Sequence, residues 1–254
     1  MSLKRVFYTN DIQVPKIFKK EGNQLLESLL IYNIAGIILA LTMLIIGSLI
    51  DIWKREIHDY YWIGFGGAGF LLIFLDSDII PHLVNIGIAL IIAPFVIFIW
   101  RLGLFGGADA FALIALAVIA PMATFSENPS TPFTTLSNAV ILFFVPVSIN
   151  VIRNLISTIK HENIFEGFEE TKIRKICAIM IGYKAKNPKF CFSIEKTVKG
   201  KKKINLKIQH AENQNYCSKP NTWITPGIPY LLLITGGFII QLMYGDVILG
   251  LFIK

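Results

Sequence analysis

Charge is scarce in this chain: only 16% of its 254 residues are Asp, Glu, Lys or Arg, while 54% are hydrophobic. Soluble domains carry about a quarter charged residues, so composition argues against an ordinary soluble enzyme. Cysteine is nearly absent too. Cys177, Cys191 and Cys217 are too few and too scattered for a disulfide framework or a C-x-x-C metal site, and read as reduced thiols. No H-E-x-x-H is present: His161-Glu162 begins one, but Phe165 stands where the second histidine belongs. His58, His82 and His210 are isolated and read as structural or solvated. There is no G-x-S-x-G elbow. Gly64-x-Gly66-x-x-Gly69 matches a dinucleotide pattern, but it lies in an apolar helix with no strand before it. It reads as a helix-packing surface.

What the chain does have is long apolar runs. Six recur, at roughly 29–50, 60–75, 79–99, 105–124, 137–156 and 225–252. About 20 apolar residues cross a bilayer as a helix, so the expected fold is an all-α integral membrane bundle of six transmembrane helices. The first run lacks a small-residue cleavage site after it and reads as an anchor, not a removed signal peptide. The expected organisation is a polar extension 1–28, helices 1–5 over 29–159, a soluble insert 160–222 and helix 6 over 223–254.

Orientation follows lysine and arginine placement. Lys54, Arg55, Arg101 and the fifteen basic residues from Arg153 to Lys219 fall on one side, whereas loops 76–78 and 125–136 contain none. The basic side is therefore expected to be cytoplasmic. Residues 1–28, with Lys4, Arg5, Lys16, Lys19 and Lys20, oppose this assignment and are outvoted by the internal loops. Within the insert, "RKICAIMIGY", "KFCFSIEKT" and "KKINLKIQHA" have strand composition, so a small antiparallel β-rich domain is expected between helices 5 and 6. No stacking aromatics interleave with the basic run 199–203, which argues against nucleic acid. Lys199, Lys201, Lys202 and Lys203 instead suggest a surface facing anionic membrane lipids.

One acid is out of place. Asp109, in "FGGADAF", falls about 6 Å inside the fourth run at the helical rise per residue. Carboxylates inside a membrane are costly and are functional candidates by default. The plainer reading is an Asp that caps the first helical turn and stays wet. Asp51 mirrors it at the end of the first run, on the same side of the membrane. Two carboxylates that can approach each other are the minimum for aspartic hydrolysis. They share one proton, so one activates water while the other protonates the carbonyl oxygen. Asp59 competes with Asp51 but belongs to a better-hydrated loop.

These segments resemble a known family. "GGAD" at 106–109 resembles the G-x-G-D signature of intramembrane aspartyl proteases, with Ala108 at the second glycine. "DIWKREIHDYYW" resembles the D-x-x-x-R-E-I-x-D-x-x-W pattern of archaeal preflagellin peptidases and their prepilin peptidase relatives, and "TPGIPYLLLITGGF" resembles their final span. The resemblance implies that Asp51 and Asp109 are the catalytic pair. Phe111 stands where many relatives have lysine. No four-cysteine zinc segment is present, which favours the preflagellin branch. The implied activity is removal of short basic leaders from preflagellins and type IV pilin-like precursors at the cytoplasmic face, with no cofactor and no metal. Gly106 and Gly107 would let an extended substrate approach Asp109, and Pro226 with Gly227 would form an irregular wall of the site. Helix initiation explains these four residues equally well. The rival expectation is a small proton-coupled transporter with Asp109 as its proton site. Oligomeric state is left open.

Overall fold

A computed structural model describes residues 16–75, 79–123, 130–198, 200–207 and 214–252. Lys4 and Arg5, loop 76–78, residues 125–129, Lys199, His210 and Lys254 lie outside the described residues.

Helix α1 (Lys16–Lys54) is followed by α2 (Asp59–Leu71), which tightens into a 3-10 turn at Leu72–Leu75. Helices α3 (Ile79–Ala89) and α4 (Ile92–Arg101) follow, then α5 (Gly107–Ile119), α6 (Thr131–Leu142) and α7 (Phe144–Ile159). The insert contributes α8 (Lys172–Ile181) and five short strands, β1 (Tyr183–Ala185), β2 (Cys191–Ser193), β3 (Glu195–Val198), β4 (Lys201–Ile204) and β5 (Thr222–Pro226). The chain continues with α9 (Tyr230–Tyr244) and α10 (Val247–Phe252).

Helix α5 is the centre of the molecule. Ala112, Leu113, Leu116, Ala117 and Ile119 have no exposed surface, and α1, α2, α4, α6 and α9 all pack against this helix. Small residues let the neighbours close in. A Cβ on Gly69 of α2 would lie 2.5 Å from Ile119 of α5, and one on Gly237 of α9 would lie 2.5 Å from the Thr135 carbonyl of α6. Helices without a hydrophobic drive between them gain by such close backbone approach. Of the three glycines in the Gly64-x-Gly66-x-x-Gly69 pattern, Gly69 makes this contact, while positions 64 and 66 face open space. The surface is apolar, with Leu30, Ile38, Phe74, Ile80, Phe98 and Phe144 all more than half exposed, as lipid contact requires. This is a membrane protein.

The expectation of six transmembrane helices is overturned. Among the described residues three helical stretches are long and apolar enough to cross a membrane: Leu29–Lys54, Ile79–Arg101 and Thr131–Ile159. The other three apolar stretches, Asp59–Leu75, Gly107–Ile119 and Tyr230–Tyr244, are shorter. At 13 residues α5 is about 20 Å long, short of a hydrocarbon core of about 30 Å. Apolar letters alone hid the breaks. Gly106 delays the start of α5 and Pro121 follows its end. The last run divides into β5, a linker ending at Pro229, α9, Gly245 at φ 74° and α10.

The insert is not purely β. The segment expected as its first strand, "RKICAIMIGY", is mostly α8. Its start is capped by the Thr171 side chain, which accepts a hydrogen bond from the Arg174 amide at 3.4 Å. The strands are antiparallel, as expected. One sheet has the order β1-β5-β2, with Lys184 opposite Trp223 and Phe192 opposite Thr225, and β3 pairs with β4 as a separate hairpin. The boundary expected at 222/223 falls inside β5. Trp223 is fully buried, stacks on Phe165 at 4.7 Å and donates its indole N–H to the Ile164 carbonyl at 2.7 Å, giving the insert its own core. Two buried asparagines fasten it to α7. Asn154 donates to the Gly182 carbonyl at 2.7 Å, and Asn150 donates to the Met180 carbonyl at 3.2 Å. Two of the four lysines expected to face lipid have acidic partners, Lys201 with Glu169 at 2.7 Å and Lys202 with Glu195 at 3.1 Å.

Candidate active site

Gly106 is extended and Gly107 opens α5, which puts Asp109 on the first turn. The Asp109 Oδ2 accepts a hydrogen bond from the Gly106 amide at 3.1 Å, so this acid does cap its helix. It is not wet, however: Asp109 is 8% exposed. A carboxylate at a helix N-terminus is favoured by the helix dipole, but burial removes most of its hydration. The surroundings are aromatic. The Trp100 indole lies across Gly107, where a Cβ would meet it at 3.3 Å, and its ring approaches Phe111 at 5.8 Å. Phe105 stacks on Tyr230 with centroids 5.5 Å apart and planes 18° from parallel.

Asp51 lies on the last turn of α1 and is half-buried. The turn beneath it is tied to α9, where the hydroxyls of Ser48 and Thr235 meet at 2.7 Å in a buried hydrogen bond. The Gly47 position packs against Leu231 of the same helix. Through this contact the end of α1 and the start of α9 close on the N-terminus of α5. The charges of Asp51 and Asp109 interact through space, and the Tyr230 phenol is also within electrostatic reach of Asp109. Asp59 is exposed on the first turn of α2, where its charge suits that helix's N-terminus.

The expected glycine and proline positions divide. Gly106 and Gly107 adjoin Asp109, the first through its amide and the second beneath Trp100. Pro226 ends β5 opposite Cys191, and the Gly227 amide donates to the Phe190 carbonyl at 2.9 Å. A Cβ on Gly227 would lie 2.8 Å from that carbonyl, so sheet packing alone accounts for this glycine. Two aromatic residues of the site escaped the sequence reading, Trp100 and Tyr230. Tyr230 follows "PGIP" directly, and a phenol just after two prolines at the opening of an apolar run was the available signal. Trp100 carried none, because tryptophan at the end of an apolar run is common at membrane interfaces.

A buried carboxylate and a half-buried one on neighbouring elements are the groups that aspartic hydrolysis would need as acid and base. Among the described residues no group of three or more His, Cys, Asp or Glu side chains gathers as metal ligands would.

The chain is similar to known proteins over most of its length. Residues 38–150 match the family model described as Type IV leader peptidase family, and 140–247 match that described as Archaeal Peptidase A24 C-terminus Type II. Curated relatives carry the name preflagellin peptidase. The protein of Methanocaldococcus jannaschii is 24% identical over 226 residues, covering 83% of this chain and 94% of its own length. That of Methanococcus voltae is 26% identical, covering 82% and 94%, and that of Methanococcus maripaludis is 28% identical, covering 83% and 95%.

Proposed function

Because the chain belongs to the type IV leader peptidase family, we propose that it is a membrane-embedded aspartic endopeptidase that removes the leader peptide from preflagellins. The observation that carries the reading is the placement of Asp109, buried on the first turn of α5, in a bundle where α1, which carries Asp51 on its last turn, packs against α5 and α9. In this mechanism the pair holds one proton. The ionised partner draws a proton from water, the water oxygen attacks the scissile carbonyl carbon, and the protonated partner donates to the carbonyl oxygen. Collapse of the tetrahedral intermediate then expels the amine, which takes the proton first drawn from water. A hydroxyl of the intermediate returns its proton to the other carboxylate, so the pair again holds one proton. The Gly106 amide already donates to Asp109 at 3.1 Å and holds its carboxylate at the start of α5.

The substrate must lie extended, because a helical peptide bond is shielded. Gly106 and Gly107 keep side chains away from its path, and the Pro226-Gly227 segment bounds the site from the insert side. The protein crosses the membrane more than once, with the pair and the insert at the cytoplasmic face, where Lys54, Arg55, Arg101 and the insert's basic residues concentrate. The test is incubation of the purified protein in detergent with a leader-bearing preflagellin, followed by mass mapping. One cut between leader and mature chain is expected, and an intact substrate refutes the reading. Reporter fusions at residue 165 and at 127 should label opposite sides, with the first cytoplasmic. The reverse pattern would refute the orientation.

A further inference from the structure

The end of α1 brings a second group to this corner besides Asp51. Arg55 has a φ of 59°, the left-handed conformation that glycine or asparagine ordinarily supplies just past a helix. Its guanidinium lies over the Phe190 ring, 5.6 Å from the centroid, and Phe190 is itself left-handed at φ 48°. Two non-glycine residues in an unfavourable backbone conformation thus meet face to face, although they are far apart in sequence. Strain of this kind persists where surrounding structure enforces it, and it collects at working sites. Phe190 is held from behind by the Gly227 amide on its carbonyl. In front, the charges of Arg55 and Asp51 interact.

One atom in this contact is unmatched. The Arg55 Nε is buried and has no hydrogen-bond partner among the described residues. Buried donors are nearly always paired, and a helix cap does not need a guanidinium, since glycine caps at lower cost. We infer that Arg55 is a substrate-binding residue whose Nε–H donates to a main-chain carbonyl of the extended peptide beside Asp51, with the Phe190 ring fixing the plane of the guanidinium. This assignment rests on the peptidase reading above. A peptide carbonyl fits better than a lipid phosphate. The donor is a single buried N–H next to a carboxylate, which would repel a phosphate.

The experiment measures binding, so that it does not depend on cleavage. Full-length Asp109→Asn protein in neutral detergent is titrated with a fluorescent peptide spanning the leader and the first mature residues. The same titration is run with Arg55→Gly added, and both are repeated in anionic liposomes. A charge-assisted hydrogen bond predicts about tenfold weaker binding in the Arg55→Gly protein. Its thermal midpoint should equal or exceed the parent's, because glycine relieves the left-handed strain. A series of peptides in which single amides near the scissile bond become alkenes locates the acceptor. One member should lose about tenfold with Arg55 present, and should lose nothing further in the Arg55→Gly protein, where the donor is already gone. Equal affinity of the two proteins overturns the assignment, as does a loss that is the same for every peptide in the series. A loss seen only in the liposomes overturns it in favour of lipid. If the parent binds no peptide at all, the peptidase reading fails and this assignment falls with it.

Discussion

The two acids of the site are held in opposite ways. Asp109 sits on a short, largely buried helix, accepts a backbone hydrogen bond at 3.1 Å and is 8% exposed. Asp51 sits half-exposed at the end of a 39-residue helix, close to a residue with strained backbone. Its last buried tether is the Ser48–Thr235 hydrogen bond, almost a turn earlier. One carboxylate is fixed by its surroundings, and the other is carried on an arm. In a pair that shares a proton this division is useful. The buried member would sit away from water, and the half-buried one would be the member that meets water and peptide.

The largest expected effects remove the pair itself. Asp51→Asn and Asp109→Asn should each lower leader cleavage by about 10⁴-fold or more, with the protein still inserted, whereas Asp59→Asn should cleave almost normally. Full activity in either of the first two would break the dyad, and the cut is scored by mass spectrometry. Smaller effects separate the two holds. Gly107→Val pushes a side chain toward Trp100, where a Cβ already lies at 3.3 Å. It should cost about 1–3 kcal/mol of stability and misplace the Asp109 turn. Gly106→Ala meets only the Asp109 Oδ2 at 3.4 Å and should be milder by thermal unfolding in detergent.

On the other arm, Ser48→Ala removes a buried hydrogen bond and should cost about 1 kcal/mol. Its mark should be a lowered kcat with little change in KM, because the arm loses its tether and the substrate contacts remain. An unchanged kcat would mean that α1 is positioned by packing alone. The smallest effect concerns a region remote from both acids. Burial, and next the neighbouring Cys217, push the Cys191 thiol above the ordinary cysteine range. The reactive thiolate therefore forms only at higher pH than in a free cysteine. Maleimide at neutral pH should modify Cys191 slowly and leave cleavage intact, and activity should survive EDTA as well. Loss of activity under either reagent would place a thiol or a metal in the mechanism.

The two candidate acids were visible in the sequence because they stand out locally: Asp109 interrupts an apolar run, and Asp51 opens a charged motif. Trp100 was not legible beside the candidate site, because its place there comes from a partner set by the fold. Arg55 stands in a motif that the sequence shows, but its contact with Phe190 is made by the fold, where Gly227 holds the Phe190 carbonyl, and no local pattern announces that contact. The count of spans failed for a different reason. A helix buried by other helices need not be as long as the bilayer is thick, so α5 is strongly apolar and short at once. The helix α8 was legible in principle. Its β-branched residues suggested a strand, but Thr171 ahead of them is a helix start signal.

The asparagines that fasten the insert have a mechanical consequence. Asn150 and Asn154 are one helical turn apart on α7, and their carboxamides grip the carbonyls of Met180, Ile179 and Gly182 at the end of α8. Three bonds along one line resist twisting as well as sliding, so a torque on the insert is delivered to α7 instead of being absorbed at the chain crossings near 160 and 227. A bulky precursor straining against the insert would thus lever the membrane helices, and the force would reach the site along α7 and the aromatic contact of Phe143 with Tyr230.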